Sequence, residues 1–415
     1  MFIVCLDTII FGAIILQKTT SSYHKLLIST GFAWLFDAMD VGMLSFVITA
    51  VAKEWQLTSA QSGLIGSIGS LGMAVGAIVL GTLADRYSRQ NILIISLLIF
   101  SIFNGLSALV SSYIPFLVFR FIVGFGLGGE LPVASTIVSE NAPEAVRGRT
   151  VVLLESFWAG GWLVAALISY LLIPRYGWQV AVVATSLAAI YALFLRSSLK
   201  RHAVEPVKTS PKKLSFKARL AELFSTDHRQ ATIMLWLVWF LVVFSYYGMF
   251  LWLPSVLVIR GYTIVQSFGY VLVMTLAQLP GYFVAAWLIE KWGRKPTLVL
   301  FLCGTAIAAI VFGWSHSLAM LIISGMALSF FNLGAWGALY AYSPEQYPAI
   351  VRGTGTGMAA GIGRVGGIVG PLLVGFLLEI KVAIPVIFII FFLAILCAAA
   401  AVHFFGVETK QTTKS

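Results

Sequence analysis

Twelve apolar stretches, most of twenty residues or more, dominate this chain and leave it few ways to fold. A backbone inside a bilayer has no water to bond with, so each stretch must satisfy its own N–H and C=O groups. About twenty residues of α-helix cross the hydrocarbon core, and these runs are too long for the roughly ten-residue strands of a barrel. They lie at roughly Leu26–Ala52, Gln61–Ala84, Asn91–Val110, Tyr113–Ser139, Thr150–Ile173, Trp178–Leu199, Ala231–Ile259, Gln266–Glu290, Pro296–Trp314, Ser317–Tyr342, Gly353–Glu379 and Ala383–Phe405. The chain is 60% hydrophobic and 10% charged, against about half and a quarter in a soluble domain. It reads as an all-α membrane protein with twelve transmembrane helices.

The net charge of +11 is explained by where the charges lie. Twenty of the 27 lysines and arginines fall in segments on one side of the spans, and four (Lys53, Arg175, Arg260, Lys381) fall on the other. Arg120, Arg196 and Arg364 lie within spans. Cytoplasmic segments carry the excess of basic residues, so both termini are expected in the cytoplasm, in a multi-pass protein of the plasma membrane. No nucleic-acid partner is needed. Cys5, Cys303 and Cys397 are far apart in apolar surroundings, which gives neither a disulfide framework nor a metal spacing. No metal or cofactor is expected. No nucleophile–base pair stands out, so the chain does not read as an enzyme.

A shift of 205 residues aligns the chain with itself. Trp34 falls on Trp239, and Thr58, Gln61 and Ser62 fall on Thr263, Gln266 and Ser267. Asp85, Arg86 and Arg89 fall on Glu290, Lys291 and Arg294, and Glu140, Pro143, Arg147 and Gly148 fall on Glu345, Pro348, Arg352 and Gly353. Two parallel six-helix halves describe a rocking transporter with a site near the midplane. The expected organisation is an N-terminal segment (1–25), a first bundle (26–199), a cytoplasmic linker loop poor in secondary-structure signals (200–230), a second bundle (231–405) and a cytoplasmic tail (406–415). Residues 1–16 are too short to span and lack a signal peptide's basic leader. They read as an interfacial helix or as a start codon placed too early.

Gly81–Gln90, GTLADRYSRQ, resembles the loop between spans 2 and 3 of the major facilitator superfamily, departing at Ser88 and Gln90. Glu290–Lys295, EKWGRK, is its second-half copy. Arg120, Gly124, Gly126, Gly128, Ile137, Glu140 and Arg147 are spaced as in the sugar-porter signature. WLFDAMDVG, GLGGELPVAS, ESFWAGGW, FSYYGMFLWLPS and NLGAWGALYAYSPEQYP resemble the bacterial niacin (nicotinate) permeases, a group near the aromatic-acid:proton symporters. Those symporters carry Asp-Gly-x-Asp in the first span; Asp37-Ala38-Met39-Asp40 departs only at Ala38. The resemblance implies the major facilitator fold and proton symport by alternating access. It implies a small organic anion as substrate, nicotinate or a close relative, carried by a functional monomer. Other readings are a carrier of a benzoate-type acid or a sugar, and a transporter-like sensor.

Asp37 and Asp40 share a helix face, and a carboxylate inside a bilayer marks a transport path or a charged partner. Arg120, about 10 Å below the outer surface at 1.5 Å per residue, is the expected partner of Asp40. Together they form either a coupling site or a permanently ionised lock. The repeat places Gly325 and Ser245 at their counterparts, so these charges belong to one half. Glu130 is a second proton candidate or a packing anchor. Arg364, near mid-bilayer with no acidic residue within a turn, is the expected anchor for a carboxylate. Tyr246, Tyr247, Gln278, Asn332, Trp336 and Tyr340 would complete the substrate site. Asp85 and Arg89, Glu140 and Arg147, their copies Glu345 and Arg352, and Glu155 close to the Arg147/Arg149 loop are expected to be gating charges.

Overall fold

The computed structural model describes residues 21–87, 89–141, 147–186 and 216–409. Residues 1–16, the first half of the 200–230 linker and the tail after 409 lie outside the described residues. The first half contains α1 (Ser21–Glu54), α2 (Ser59–Arg86), α3 (Arg89–Ser107), α4 (Tyr113–Asn141), α5 (Arg147–Tyr176) and the start of the sixth span, α6 (Trp178–Ser186). A short helix, α7 (Phe216–Leu223), lies in the linker expected to be irregular, where Thr232 donates to the Leu223 carbonyl at 2.8 Å. The second half contains α8 (Arg229–Phe250), α9 (Leu253–Ile259), α10 (Ile264–Leu276), α11 (Gln278–Trp292), α12 (Arg294–Gly313), α13 (Leu318–Glu345), α14 (Ala349–Glu379) and α15 (Ile384–Phe405). Among the described residues, nine helical spans are long and apolar enough to cross a membrane, counting α10 and α11 as one, and two shorter apolar helices accompany them.

The internal repeat has a physical basis. Thr58 caps α2 and Thr263 caps α10, each in a reciprocal capping box with the glutamine three residues on. Such a box satisfies two otherwise orphaned helix donors. In the preceding turns, Gln56 and Gly261, again 205 apart, both take positive φ, 53° and 96°. The halves also share a close approach. A Cβ on Gly76 would collide with the Phe125 carbonyl, and one on Gly281 with the Phe330 carbonyl.

The two broken spans follow from proline. A proline ring clashes with the carbonyl four residues earlier and offers no N–H. Pro254 is four residues after Phe250, where α8 ends; Pro280 is four residues after Leu276, where α10 ends. Span 7 therefore breaks at Leu251–Trp252, while Gly248 stays helical and makes room for the Phe391 ring.

The halves meet through α2 against α14 and through α5 against α10, α11 and α13. At the sparsely charged end the α2–α14 contact is backbone to backbone. A Cβ on Gly63 would lie 2.6 Å from the Pro371 carbonyl oxygen, and one on Gly375 would lie 2.6 Å from that of Ser59. Ser67 donates to the Ile368 carbonyl at 2.7 Å, and Thr49 and Ser255 hydroxyls meet at 2.8 Å. Toward the basic end the seam parts: a Cβ on Gly81, Gly353, Gly357 or Gly361 meets nothing within 4 Å among the described residues. Arg260, one of the four basic residues at the sparsely charged end, donates to the carbonyls of Phe312, Gly313 and Ser315 at 2.9–3.0 Å and so caps α12.

Gly281→Val should lower the melting temperature of the detergent-solubilised protein by the equivalent of about 1–3 kcal/mol, since backbone stands where the side chain must go. Gln56→Gly should leave it unchanged or raise it by up to about 1 kcal/mol, because glycine takes positive φ without strain.

Candidate functional site

Among the described residues two arginines lie in the bundle interior, and their surroundings differ. Arg120 on α4 is 2% exposed. It donates to the Asn104 side chain and to Ser107 Oγ at 2.9 Å, both on α3. Asn104 in turn donates to Thr185 on α6 at 2.9 Å. Phe116 stacks under the guanidinium with its ring centre 5.3 Å away. Asp40 on α1 stands 3.8 Å from Arg120 Nη1, the pairing read from the sequence. The two α3 acceptors thus hold the arginine, and the carboxylate faces it at ion-pair distance.

Arg364 on α14 is partly buried. Among the described residues no carboxylate touches it, and its Nη1 meets Tyr247 Oη and Met73 Sδ, each at 3.4 Å. Tyr247 and Met73 also line a narrow cavity with Asp40, Arg120 and Leu251, with room for roughly one water. Asp37, buried on α1, is within electrostatic range of Tyr247. Tyr247 therefore stands between the aspartates of the first half and the arginine of the second.

Next to Arg364 is a box of aromatic rings. Trp336 on α13 packs on Tyr246 at 4.9 Å and lies parallel to Trp158 at 6.3 Å. Trp158 donates to the Tyr246 hydroxyl at 2.8 Å. Trp34 and its repeat counterpart Trp239 both set an edge against Tyr340, at 6.4 and 4.8 Å. Trp162 closes the box against Tyr246 at 6.2 Å and Phe250 at 6.0 Å. The rings contact one another, so a ligand must part them.

Several buried polar atoms here make no hydrogen bond: both amide atoms of Gln278, Asn332 Oδ1, Tyr282 Oη, and the indole nitrogens of Trp34, Trp162 and Trp336. Buried polar groups are normally paired, so these atoms are open to a partner from outside the chain. Gln278 is positioned by the α10–α11 break.

Glu155, expected as a gating charge, lies on α5, and the side chains of Arg147 and Arg149 lie outside the described residues. Glu155 is fully buried, with Trp34 and Trp336 indoles directed at its carboxyl and Arg364 in electrostatic range. The missed signal is the spacing Glu155, Trp158, Trp162, which is one face of α5. Glu345 pairs with Arg294 at 3.1 Å and accepts from Thr409, whereas Arg352 donates to the Tyr347 carbonyl at 3.4 Å. Glu408 accepts from the backbone N–H groups of Arg294 and Lys295 at 3.0 and 2.9 Å, a carboxylate at a helix N-terminus. The side chains of Asp85, Arg89, Glu130, Glu140 and Arg147 lie outside the described residues.

A family model described as the Major Facilitator Superfamily matches residues 30–277 and 267–415. The chain belongs to the major facilitator superfamily. Its fold is the two-bundle fold of that superfamily, and its relatives there are transporters, not enzymes. A putative niacin/nicotinamide transporter NiaP of Bacillus subtilis is 56% identical over 391 residues, 94% of this chain and 98% of the relative. The niacin transporter NiaP of Acinetobacter baylyi is 45% identical over 418 residues, 94% of this chain and 95% of the relative. The solved major facilitator proton:xylose symporter, bound to 6-bromo-6-deoxy-D-glucose, superposes with a TM-score of 0.74 at 17% identity, covering 94% of this chain and 97% of that one. As a superfamily member with many apolar helices, the chain is a multi-pass membrane protein.

Replacing Asp40 or Arg120 alone by leucine leaves a buried charge unpaired and should destabilise the protein by about 3–5 kcal/mol. The double replacement should recover most of that loss, as read by thermal unfolding in detergent.

Proposed function

We propose that this superfamily member imports nicotinate, or a closely related small aromatic carboxylate, by proton symport with alternating access. The observation that carries the reading is Arg364, a guanidinium with no contacting carboxylate among the described residues, beside a box of indole and phenol rings. Guanidinium binds carboxylate through two parallel N–H···O bonds, and flat aromatic walls suit a flat ring. Tyr247 adds a hydroxyl beside the carboxylate; Trp336, Tyr246 and Tyr340 enclose the ring; Gln278 and Asn332 supply neutral donors and acceptors. Niacin stands in the names of both similar relatives, with nicotinamide, its amide, beside it in one.

Coupling is assigned to Asp40, modulated by Arg120 and Asp37. Asp40 and Tyr247 line one cavity, and Tyr247 also contacts Arg364, so charge on the aspartate and occupancy at the arginine act on one side chain. Glu345 with Arg294, and the charges at the basic ends of the spans, would control closure there. The protein acts in the plasma membrane as a monomer, its basic end and both termini in the cytoplasm, in keeping with the twenty-to-four charge split.

Purified protein in proteoliposomes should accumulate labelled nicotinate when the outside is acidified. Arg364→Gln should weaken nicotinate by about ten- to a hundredfold; unchanged affinity would place the anchor elsewhere. Asp40→Asn should retain nicotinate exchange at equilibrium and lose accumulation driven by a pH gradient. Undiminished pH-driven accumulation would remove Asp40 from coupling.

A further inference from the structure

The box contains a carboxyl that binding an anion does not explain. Glu155 is fully buried, and neither of its oxygens closes a hydrogen bond. Its titratable neighbours are Arg364, in range but not in contact, and the hydroxyls of Tyr282 and Tyr340. Tyr340 lies within range of both Glu155 and Arg364, so the two charged groups flank one box. A negative charge beside a bound carboxylate repels it. A site for a plain anion would keep this position apolar or basic. A carboxyl belongs here if the substrate, besides its acid group, presents a hydrogen-bond acceptor at a ring position away from that group.

We propose that Glu155 recognises the ring nitrogen of a pyridine carboxylate, its carboxyl hydrogen-bonding to that nitrogen while Arg364 holds the acid group. This rests on the reading of Arg364 as the anion anchor. The charges then balance. One guanidinium faces one carboxylate, and one proton, brought by the Glu155 carboxyl, lies between that group and the ring nitrogen. No covalent bond forms or breaks. Of the two indoles beside Glu155, Trp34 on α1 belongs to the same half and Trp336 on α13 to the other. Trp336 reaches Glu155 only when the halves are together, so the ring nitrogen is read in the closed state. Benzoate has the shape and charge of nicotinate and lacks only the nitrogen, so it is the discriminating probe.

The test is competition for binding to the purified full-length protein, using nicotinate, benzoate and pyridine-2-carboxylate. Wild type should prefer nicotinate to benzoate by about tenfold or more. Glu155→Leu should abolish that preference, chiefly by weakening nicotinate. Glu155→Gln, whose amide still donates to a ring nitrogen, should restore it. Pyridine-2-carboxylate, with its nitrogen beside the acid, should bind wild type no better than benzoate, a measurement that needs no variant. A preference that survives Glu155→Leu, or equal binding of nicotinate and benzoate by wild type, overturns the assignment and leaves the anion-carrier reading standing. Failure of wild type to bind any of the three acids overturns both.

Discussion

A guanidinium inside a bilayer must have its charge answered, and this chain answers two of them in opposite ways. Arg120 is clamped by Asn104 and Ser107, backed by Phe116 and faced by Asp40. Arg364 meets a phenol and a thioether. Both arrangements need a rigid frame, because a buried charge tolerates little misplacement. The frame comes from glycine-mediated helix contacts, such as Gly76 on Phe125 and Gly281 on Phe330, where small residues let backbones approach.

The same contacts, distributed unevenly, describe how the halves sit. Among the described residues, the α2–α14 seam is closed at Gly63 and Gly375 and open at Gly81, Gly353, Gly357 and Gly361. Glycine lines one helix face where it is buried and where it is free, so the free stretch can accept a close neighbour when the halves tilt. The site lies where the seam begins to part, with Met73 of α2 and Arg364 of α14 in contact. Tilting therefore acts directly on the group assigned to the substrate.

Much of this was legible in the residues. Apolar run lengths located the spans, and the 205-residue shift aligned Thr58 and Gln61 with Thr263 and Gln266, which the structure shows to be two capping boxes. The depth of Asp40 and Arg120 in neighbouring spans brought them together. Features set by several elements at once were harder to read. Counting from the start of span 5 gave the depth of Glu155 but not its direction; helical periodicity, through Trp158 and Trp162, turns it inward. The break before Gln278 follows from Pro280, a local signal that was passed over. The partner of Glu345 was not readable from its own loop, because Arg294 and Thr409 come from distant parts of the chain.

The aromatic box is filled by its own rings. Trp158 against Trp336, and Trp34 and Trp239 against Tyr340, occupy the space a flat ligand would take. On the proposed reading, the substrate itself would have to wedge those rings apart, so part of its binding energy would go into opening the box rather than into holding the cargo.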